Sequence, residues 1–380
     1  MHPLRPAGRP PTGASRRLSL RVSTRIVAAL AAVPLLALAA CSGGADAATD
    51  ADAGSTAATG SAATELRLGY FANVTHAPAL VGVANGLFAA ELGDTALTTQ
   101  VFNAGPAAIE ALNAGAIDAT FIGPNPAING FIKSDGESLR IIAGSTSGGA
   151  QFVVRDGIDS AADLKGTNLA SPQLGGTQDV ALRSWLTEQG LENSISGGGD
   201  VTITPTENAQ TLQLFQDGKL DGAWLPEPWA SRLVLEAGAH VLVDEKDLWD
   251  DGQFLTTHLI VSASFLAEHP ETVEALLRGT VASVDWLNAN PGEAPAVVNA
   301  EIATTAGKPL PDEVIARAFT NITFSVDPLA QTLPTLLAAG VTAGTTEDAS
   351  LDGIYDLRLL NTVLADAGQP TVSSAGLGQE

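Results

Sequence analysis

Leu164-Lys165-Gly166-Thr167-Asn168-Leu169-Ala170 decides the reading of the fold. It is a helix end that runs into a short apolar strand, and it starts a second series of alternating strands and helices. The series continues with a helix over Thr177 to Gly190, a strand over Val201 to Thr204 and a helix over Asn208 to Gln216. A strand over Gly222 to Leu225, a helix over Pro228 to Ala237 and a strand over His240 to Val243 complete it. Upstream, the first series opens with a strand over Leu66 to Phe71 and an apolar helix-compatible segment over Ala77 to Ala89, with Pro78 in its first turn. A strand over Leu97 to Asn103, a helix over Pro106 to Asn113 and a buried strand over Ala119 to Ile122 follow, the last breaking at Gly123-Pro124-Asn125-Pro126. Strands over Leu139 to Ala143 and Gln151 to Val154 close the first series.

Alternation of this kind predicts an α/β protein with two lobes, each a mainly parallel sheet flanked by helices. Thr256 to Val261 reads as one further strand, crossing back to the first lobe. Helices then follow over Ser264 to Leu287, Pro291 to Thr305, Pro311 to Phe319 and Pro328 to Ala339, most with proline near the start. The expected organisation is residues 65–160 plus 256–380 as lobe 1 and residues 161–255 as lobe 2, with a ligand cleft between them.

The first forty residues read as an export segment. Six arginines, and no acidic residue, precede or border the apolar run from Ile26 to Ala40, which is too short for a membrane span of roughly 20 residues. The run ends Leu38-Ala39-Ala40-Cys41, and Cys41 is the single cysteine of the chain, so it has no internal disulfide partner. The segment resembles a lipoprotein signal peptide (1–40) with Cys41 as the lipidation site. Ser15-Arg16-Arg17-Leu18-Ser19-Leu20 resembles a twin-arginine signal with serine where an aromatic is usual, and the general export route stays open beside it. Residues 41–64 are nearly all Ala, Gly, Ser, Thr and Asp up to Thr64, a composition expected of a flexible tether.

The precursor carries 19 basic and 42 acidic side chains, and removal of the export segment takes away six of the basic ones. A mature chain near 29 negative excludes nucleic acid and an electrostatic grip on anionic lipid as modes of binding.

Ligands of open α/β sheets bind beyond the carboxyl ends of strands. Four loops fall there in this reading: Tyr70 to His76, with Asn73, Thr75 and His76; Gly123 to Pro126, with Asn125; Ser171 to Gln178, with Gly176, Thr177 and Gln178; and Trp224 to Trp229, with Glu227. Thr256, at the start of the returning strand, is a further candidate. Gly175-Gly176-Thr177-Gln178 at a helix start leaves backbone amides outward beside a hydroxyl, an anion site without a cationic side chain. Thr177 as a plain N-cap is the alternative, and Asn73, Thr75 and Asn125 share that ambiguity. Trp224 and Trp229 serve equally as core aromatics or as a pocket wall. Glu227 is left between a ligand ammonium, a partner across the lobes, and solvent. Lys133 and Arg155 are the nearby cations.

The histidines form no metal spacing, and there is no Gly-x-Ser-x-Gly elbow, phosphate-cradling loop or Gly-x-Gly-x-x-Gly helix start. No catalytic residue, cofactor or metal is expected.

Leu68 to Leu80, Gly86-Leu87-Phe88, Gly115 to Ala119, Gly175 to Ala181 and Leu225-Pro226-Glu227-Pro228-Trp229, in this order, resemble the nitrate, sulfonate and taurine group of ABC-importer substrate-binding proteins. The resemblance spans about residues 65–360. It implies a two-lobed periplasmic-binding-protein-like fold of type II that closes on a small anionic solute, aliphatic sulfonate being the first choice, and docks on an ABC transporter permease. A monomer on the extracytoplasmic face of the bacterial cell membrane, held by a lipid anchor at Cys41, is the expected arrangement. Nitrate, taurine and thiamin pyrimidine precursors are the alternative ligands. The rival class is an enzyme of the thiamin-precursor-synthase-like fold, with His76 as the residue such chemistry would need. A sensor ectodomain would require a second membrane segment or signalling domain.

Overall fold

The computed structural model describes residues 61–380; the export segment with Cys41, and the tether up to residue 60, lie outside the described residues. In chain order the first elements are β1 (Glu65–Phe71), α1 (Ala77–Ala84), α2 (Leu87–Leu92), β2 (Ala96–Phe102), α3 (Gly105–Asn113), β3 (Ala119–Ile122), α4 (Pro124–Lys133), β4 (Leu139–Gly148) and β5 (Ala150–Val154). Then come β6 (Asn168–Ser171), α5 (Thr177–Glu188), β7 (Thr202–Pro205), α6 (Asn208–Gln216), β8 (Gly222–Pro226), α7 (Trp229–Ala237) and β9 (His240–Asp244). The remainder is β10 (Leu255–Ser262), α8 (Ala263–Glu268), α9 (Pro270–Ala289), α10 (Ala294–Ala306), α11 (Asp312–Thr320), β11 (Ile322–Phe324), α12 (Leu333–Thr342), β12 (Tyr355–Asp356), α13 (Arg358–Asp366) and β13 (Gly378–Gln379).

The strands form two sheets. An eight-stranded sheet runs β13-β12-β4-β10-β3-β1-β2, with β11 also on β4, and a five-stranded sheet runs β7-β6-β8-β5-β9. Both are mixed. The βα-connected strands pair in parallel, β1 with β2 and β3, and β6 with β7 and β8. The strands that carry the chain between the sheets, β10 and β5, pair antiparallel to their neighbours. The returning strand read from Thr256 to Val261 is β10, and it enters the eight-stranded sheet between β3 and β4.

The strand at Gln151 to Val154 needs correcting. Instead of closing the first series, it pairs with β8 and β9 in the second sheet. The crossing comes at Gly148-Gly149, both at left-handed φ of +79° and +77°, which glycine adopts without the Cβ penalty. A side chain at Gly148 would also fall 2.6 Å from the Asn321 carbonyl oxygen. The long helix read over Ser264 to Leu287 is two, α8 and α9, divided at His269 because Pro270 cannot accept a continuing helix behind it. Ala77 to Ala89 likewise divides at Gly86, at φ +68°.

Burial follows the strand alternation. In β5, Phe152 and Val154 pack on one face with Trp185 and Trp224, whereas Val153 packs on the other with Ala223 and Leu225. Phe152 and Trp224 stack at 5.5 Å, so each aromatic adds ring contact to its area burial. This fixes Trp224 as core, at 0% exposure. Both sheets belong to one compact unit, and no helix among the described residues is long and apolar enough to cross a membrane.

Candidate functional site

The carboxyl ends of β1, β2, β3, β6, β7 and β8 meet at one cavity between the sheets. Its walls include Phe71, Asn73, Thr75 and His76 after β1, Asn103 to Gly105 after β2, Gly123 and Pro126 after β3, and Gly176, Thr177 and Gln178 before α5. Asn208, at the start of α6, and Thr256 with Thr257 on β10 complete the polar lining. The cavity is small, about 30 Å3.

Its electrostatics come from backbone. The amino-terminal ends of α3, α4, α5 and α6 all contribute lining residues, so the positive ends of four helix dipoles converge where no lysine, arginine, aspartate or glutamate lines the wall. The α4 end is poor in donors because Pro124 and Pro126 have no N–H. The α5 end is the rich one. Gly176 N donates to Gln173 O at 3.0 Å, which takes that amide out of use. The amides of Thr177 and Gln178, in the first turn and on the cavity wall, have no intrahelical acceptor. Asp179 builds this geometry from behind: its carboxylate accepts from Ser171 Oγ (2.6 Å), Gly175 N (3.0 Å) and Arg183 Nε (2.9 Å), the last an ion pair with both side chains buried.

Among the described residues Thr177 Oγ1 has no hydrogen-bond partner although Thr177 is buried, and Asn208 Oδ1 is in the same condition. A buried oxygen of this kind costs stability unless something arrives to pair with it. Across the cleft the fit is close: a Cβ built on Gly123 would lie 2.3 Å from Thr177 Oγ1. Thr256 Oγ1 donates to Gly148 O at 2.5 Å, so its oxygen is committed to the crossing while its residue lines the cavity. Burial pushes the His76 imidazole down to about 3, leaving it neutral, stacked on Phe71 at 4.3 Å and accepting from Phe71 N through Nδ1 at 3.4 Å.

Of the residues singled out in the sequence, Asn73, Thr75, His76, Gly123, Gly176, Thr177, Gln178 and Thr256 come together here. Asn125, Glu227 and Trp229 stand beside the cavity. Asn125 Nδ2 donates to Leu336 O at 2.9 Å. Trp229 Nε1 donates to Asn73 Oδ1 at 2.9 Å, with the Arg232 guanidinium 4.8 Å over its ring. Glu227 is fully buried and held by Arg317 (3.0 Å), Asn321 (2.7 Å) and Ser231 N (3.0 Å). Burial pushes its carboxyl up, against the pull of those hydrogen bonds and the Arg317 charge. Of the two cations, Arg155 pairs with Asp221 at 3.1 Å, and Lys133 is exposed on a neighbouring rim. Asn103 and Asn208 were missed; both stand at strand-to-helix junctions, and applying the strand-end rule to every strand would have found them. Among the described residues no group of three or more His, Cys, Asp or Glu is placed to hold a metal.

A model of the family described as the NMT1-like family matches residues 59–303, more than half of the chain. A "Putative binding protein" of Brucella abortus (strain 2308) is 26% identical over 194 residues, 51% of this chain and 58% of the relative. A "Putative aliphatic sulfonates-binding protein" of Escherichia coli (strain K12) is 29% identical over 216 residues, 55% of this chain and 62% of the relative. The chain thus spans about three fifths of the length of these curated relatives. The solved alkanesulfonate-binding protein SsuA from Xanthomonas axonopodis pv. citri, bound to MOPS, superposes with a TM-score of 0.64 at 23% identity, covering 76% of this chain and 96% of that one. That likeness shows the same two-sheet periplasmic-binding-protein fold.

Proposed function

This chain belongs to the NMT1-like family, and from that premise we propose that it is the substrate-binding component of an ABC importer whose solute is a small organic anion, an aliphatic sulfonate. One observation carries the reading. Four helix starts converge on a cavity whose walls bear no charged side chain, and the unpartnered Thr177 hydroxyl stands beside two first-turn amides. Such a site holds an anion by hydrogen bonds and dipoles. A sulfonate brings three acceptor oxygens to these donors. The names of the Escherichia coli and Xanthomonas proteins support the sulfonate choice.

The two sheets are taken as the lobes, and the solute as what makes the closed form favourable, through contacts it makes to both. His76 is buried and neutral, stacked on Phe71 and accepting from its N–H, an arrangement that favours a wall of the cleft over an acid–base group. Thermal unfolding against alkanesulfonates, taurine, nitrate, bicarbonate and pyrimidine precursors tests the reading. Ligand at a hundredfold excess over its dissociation constant stabilises by about 2.7 kcal/mol. A shift with sulfonates supports the proposal, and a shift with a pyrimidine alone overturns it.

Lipid anchoring at Cys41 is part of the same proposal, since attachment beside the membrane keeps a receptor near its permease. Stable anchoring takes more than one acyl chain. A Cys41→Ala chain should leave the membrane fraction; one that stays there sinks the anchor.

A further inference from the structure

A second cavity, of about 120 Å3, lies where α5 and α12 pack together, and Thr177 lines both it and the cleft. Its chemistry is the reverse of the cleft's. Two carboxylates, Glu245 and Glu188, line it, and no lysine, arginine or histidine does so among the described residues. Ser184 and Thr335 add hydroxyls, and Trp185 and Trp249 add aromatic surface. Both indoles are held in place: Trp249 stacks on Phe254 at 5.9 Å, and Trp185 meets Phe152 edge-on at 5.7 Å.

The acceptors differ in depth. Asn125 is 1% exposed and Glu245 2%, whereas Glu188 is exposed and accepts from Ser184 Oγ at 3.4 Å. Asn125 Nδ2 donates to Leu336 O at 2.9 Å, which fixes the amide's orientation, and among the described residues its Oδ1 has no partner. An amide oxygen only accepts, so what it lacks is a donor. Buried oxygens in this condition are few in native proteins. Glu245 Oε2 accepts from Trp224 Nε1 at 2.7 Å, but no cation on the wall offsets its charge, and burial pushes the carboxyl up. A positive group beside it would draw it back to the ionised form.

We propose that the α5–α12 crevice is a second binding site, separate from the cleft, for a small primary alkylammonium ion. The ammonium N–H groups meet Asn125 Oδ1 and the Glu245 carboxylate, the short carbon chain lies against Trp185 and Trp249, and Glu188 draws the cation to the mouth. Each part of the lining selects this class. An anion is opposed by both carboxylates. A metal ion lacks ligands, since among the described residues no group of three or more His, Cys, Asp or Glu is placed to hold one, and it would leave the indoles without a contact. A quaternary ammonium suits the indoles but brings no N–H to Asn125 Oδ1. The volume, a little below the ~150 Å3 of a cavity that takes up benzene, limits the chain to a few carbons. Asn125 and α12 belong to the eight-stranded side and α5 and Glu245 to the five-stranded side, so the bound ion touches both.

Isothermal titration of the purified protein, with no sulfonate present, tests this with propylammonium chloride, tetramethylammonium chloride, propan-1-ol and calcium chloride. Propylammonium should bind, and the other three should bind at least about tenfold more weakly. Glu245→Gln removes the charge and keeps an acceptor for Trp224, and it should weaken propylammonium about ten- to a hundredfold. Ala181→Leu narrows the crevice at a half-buried position of α5 without touching a polar group, and should weaken it as well. Both variants should keep a cooperative melting transition. No binding of propylammonium, equal affinity for propan-1-ol, a preference for calcium, or propylammonium binding that survives both substitutions overturns the proposal. Ethanesulfonate titrated on its own reports on the cleft, so the anion reading and the ammonium site can each fail alone.

Discussion

Arg317 on α11 reaches Glu227 at the end of β8, Nη1 to Oε1 at 3.0 Å, and so ties the helical layer of the eight-stranded sheet to the five-stranded one. The same guanidinium donates to Ser231 Oγ and Gln151 Oε1, each at 2.8 Å. Gln151 lies on β5, Ser231 on α7 and Glu227 on the turn between β8 and α7, so all three acceptors belong to the five-stranded side.

Removing the cation should be far more damaging than removing the charge it neutralises. Arg317→Ala leaves the Glu227 carboxylate buried with fewer partners, and breaking a buried pair in this way costs about 3–5 kcal/mol. Glu227→Gln removes the ion and keeps an acceptor for Asn321, so its loss should be smaller. Urea unfolding of the two variants reads the order directly, and an Arg317→Ala midpoint equal to wild type would show that the pair holds nothing.

Thr177→Val separates binding from stability. The valine keeps the shape and removes an oxygen that has no partner among the described residues, so unfolding should be unchanged or shifted upward. Binding should weaken about ten- to a hundredfold, because a hydrogen bond to a charged group is worth about 1.5–3 kcal/mol. Undiminished affinity in the titration would remove Thr177 from the site.

Gly123→Ala should hold the lobes apart without unfolding them. Gly123 sits at φ −72° and ψ 157°, which alanine adopts freely, but its Cβ would lie 2.3 Å from Thr177 Oγ1. Relieving such a clash costs about 1–3 kcal/mol. Ligand affinity should drop roughly tenfold, and small-angle scattering should show a larger radius of gyration at a melting temperature lowered by no more than a few degrees. An unaltered radius and affinity would mean that the approach of these two residues is not the closing contact.

The pH dependence has two limbs of opposite sign. Burial pushes the Glu245 carboxyl up to about 8, with Trp224 Nε1 donating to it at 2.7 Å. An acid raised in the folded state binds its proton on folding, so its contribution is intact below about 4.5 and is lost as pH climbs through about 8. Glu245→Gln should remove that decline, gaining on wild type at alkaline pH at about 1.4 kcal/mol per unit of displacement. His258, buried with both ring nitrogens unpartnered, is pushed down to about 3. Stability from this side falls as pH drops from 6.5 toward 3, and His258→Leu should flatten it. Parallel stability curves for wild type and either variant would contradict the corresponding limb.

Much of the architecture was legible because periodicity and turn chemistry are local. The βα alternation, the return of the chain near Thr256 and the helical remainder all follow from apolar spacing and proline placement. The assignment of β5 was not legible, because Gln151 to Val154 looks the same whichever sheet it joins; the choice is made by Phe152 stacking on Trp224, seventy-two positions away. β12 and β13, two residues each, carry too little pattern to read. At the site, Thr177 and Gly176 were found from a helix start. The burial of Glu227 needed Arg317 and Asn321, which no spacing in the sequence connects to it. Asp179 and Arg183, four apart on one helix, were a signal that went unread.

β10 lies between β3 and β4 in the eight-stranded sheet, although the chain makes β3 and β4 first and β10 only after the entire second sheet. Two strands that follow each other in synthesis therefore have no edge to share until a third arrives. Closing a loop of about a hundred residues to deliver it costs about 4 kcal/mol of chain entropy on top of a fixed charge for closure, and long-range pairing of this sort is slow. A ribosome-bound chain that ends before Ser262 cannot join β3 to β4 through the whole of β10. The topology itself keeps β3 and β4 from being joined until about two thirds of the polypeptide has been made, so that this joining is set by the order in which the strands are delivered.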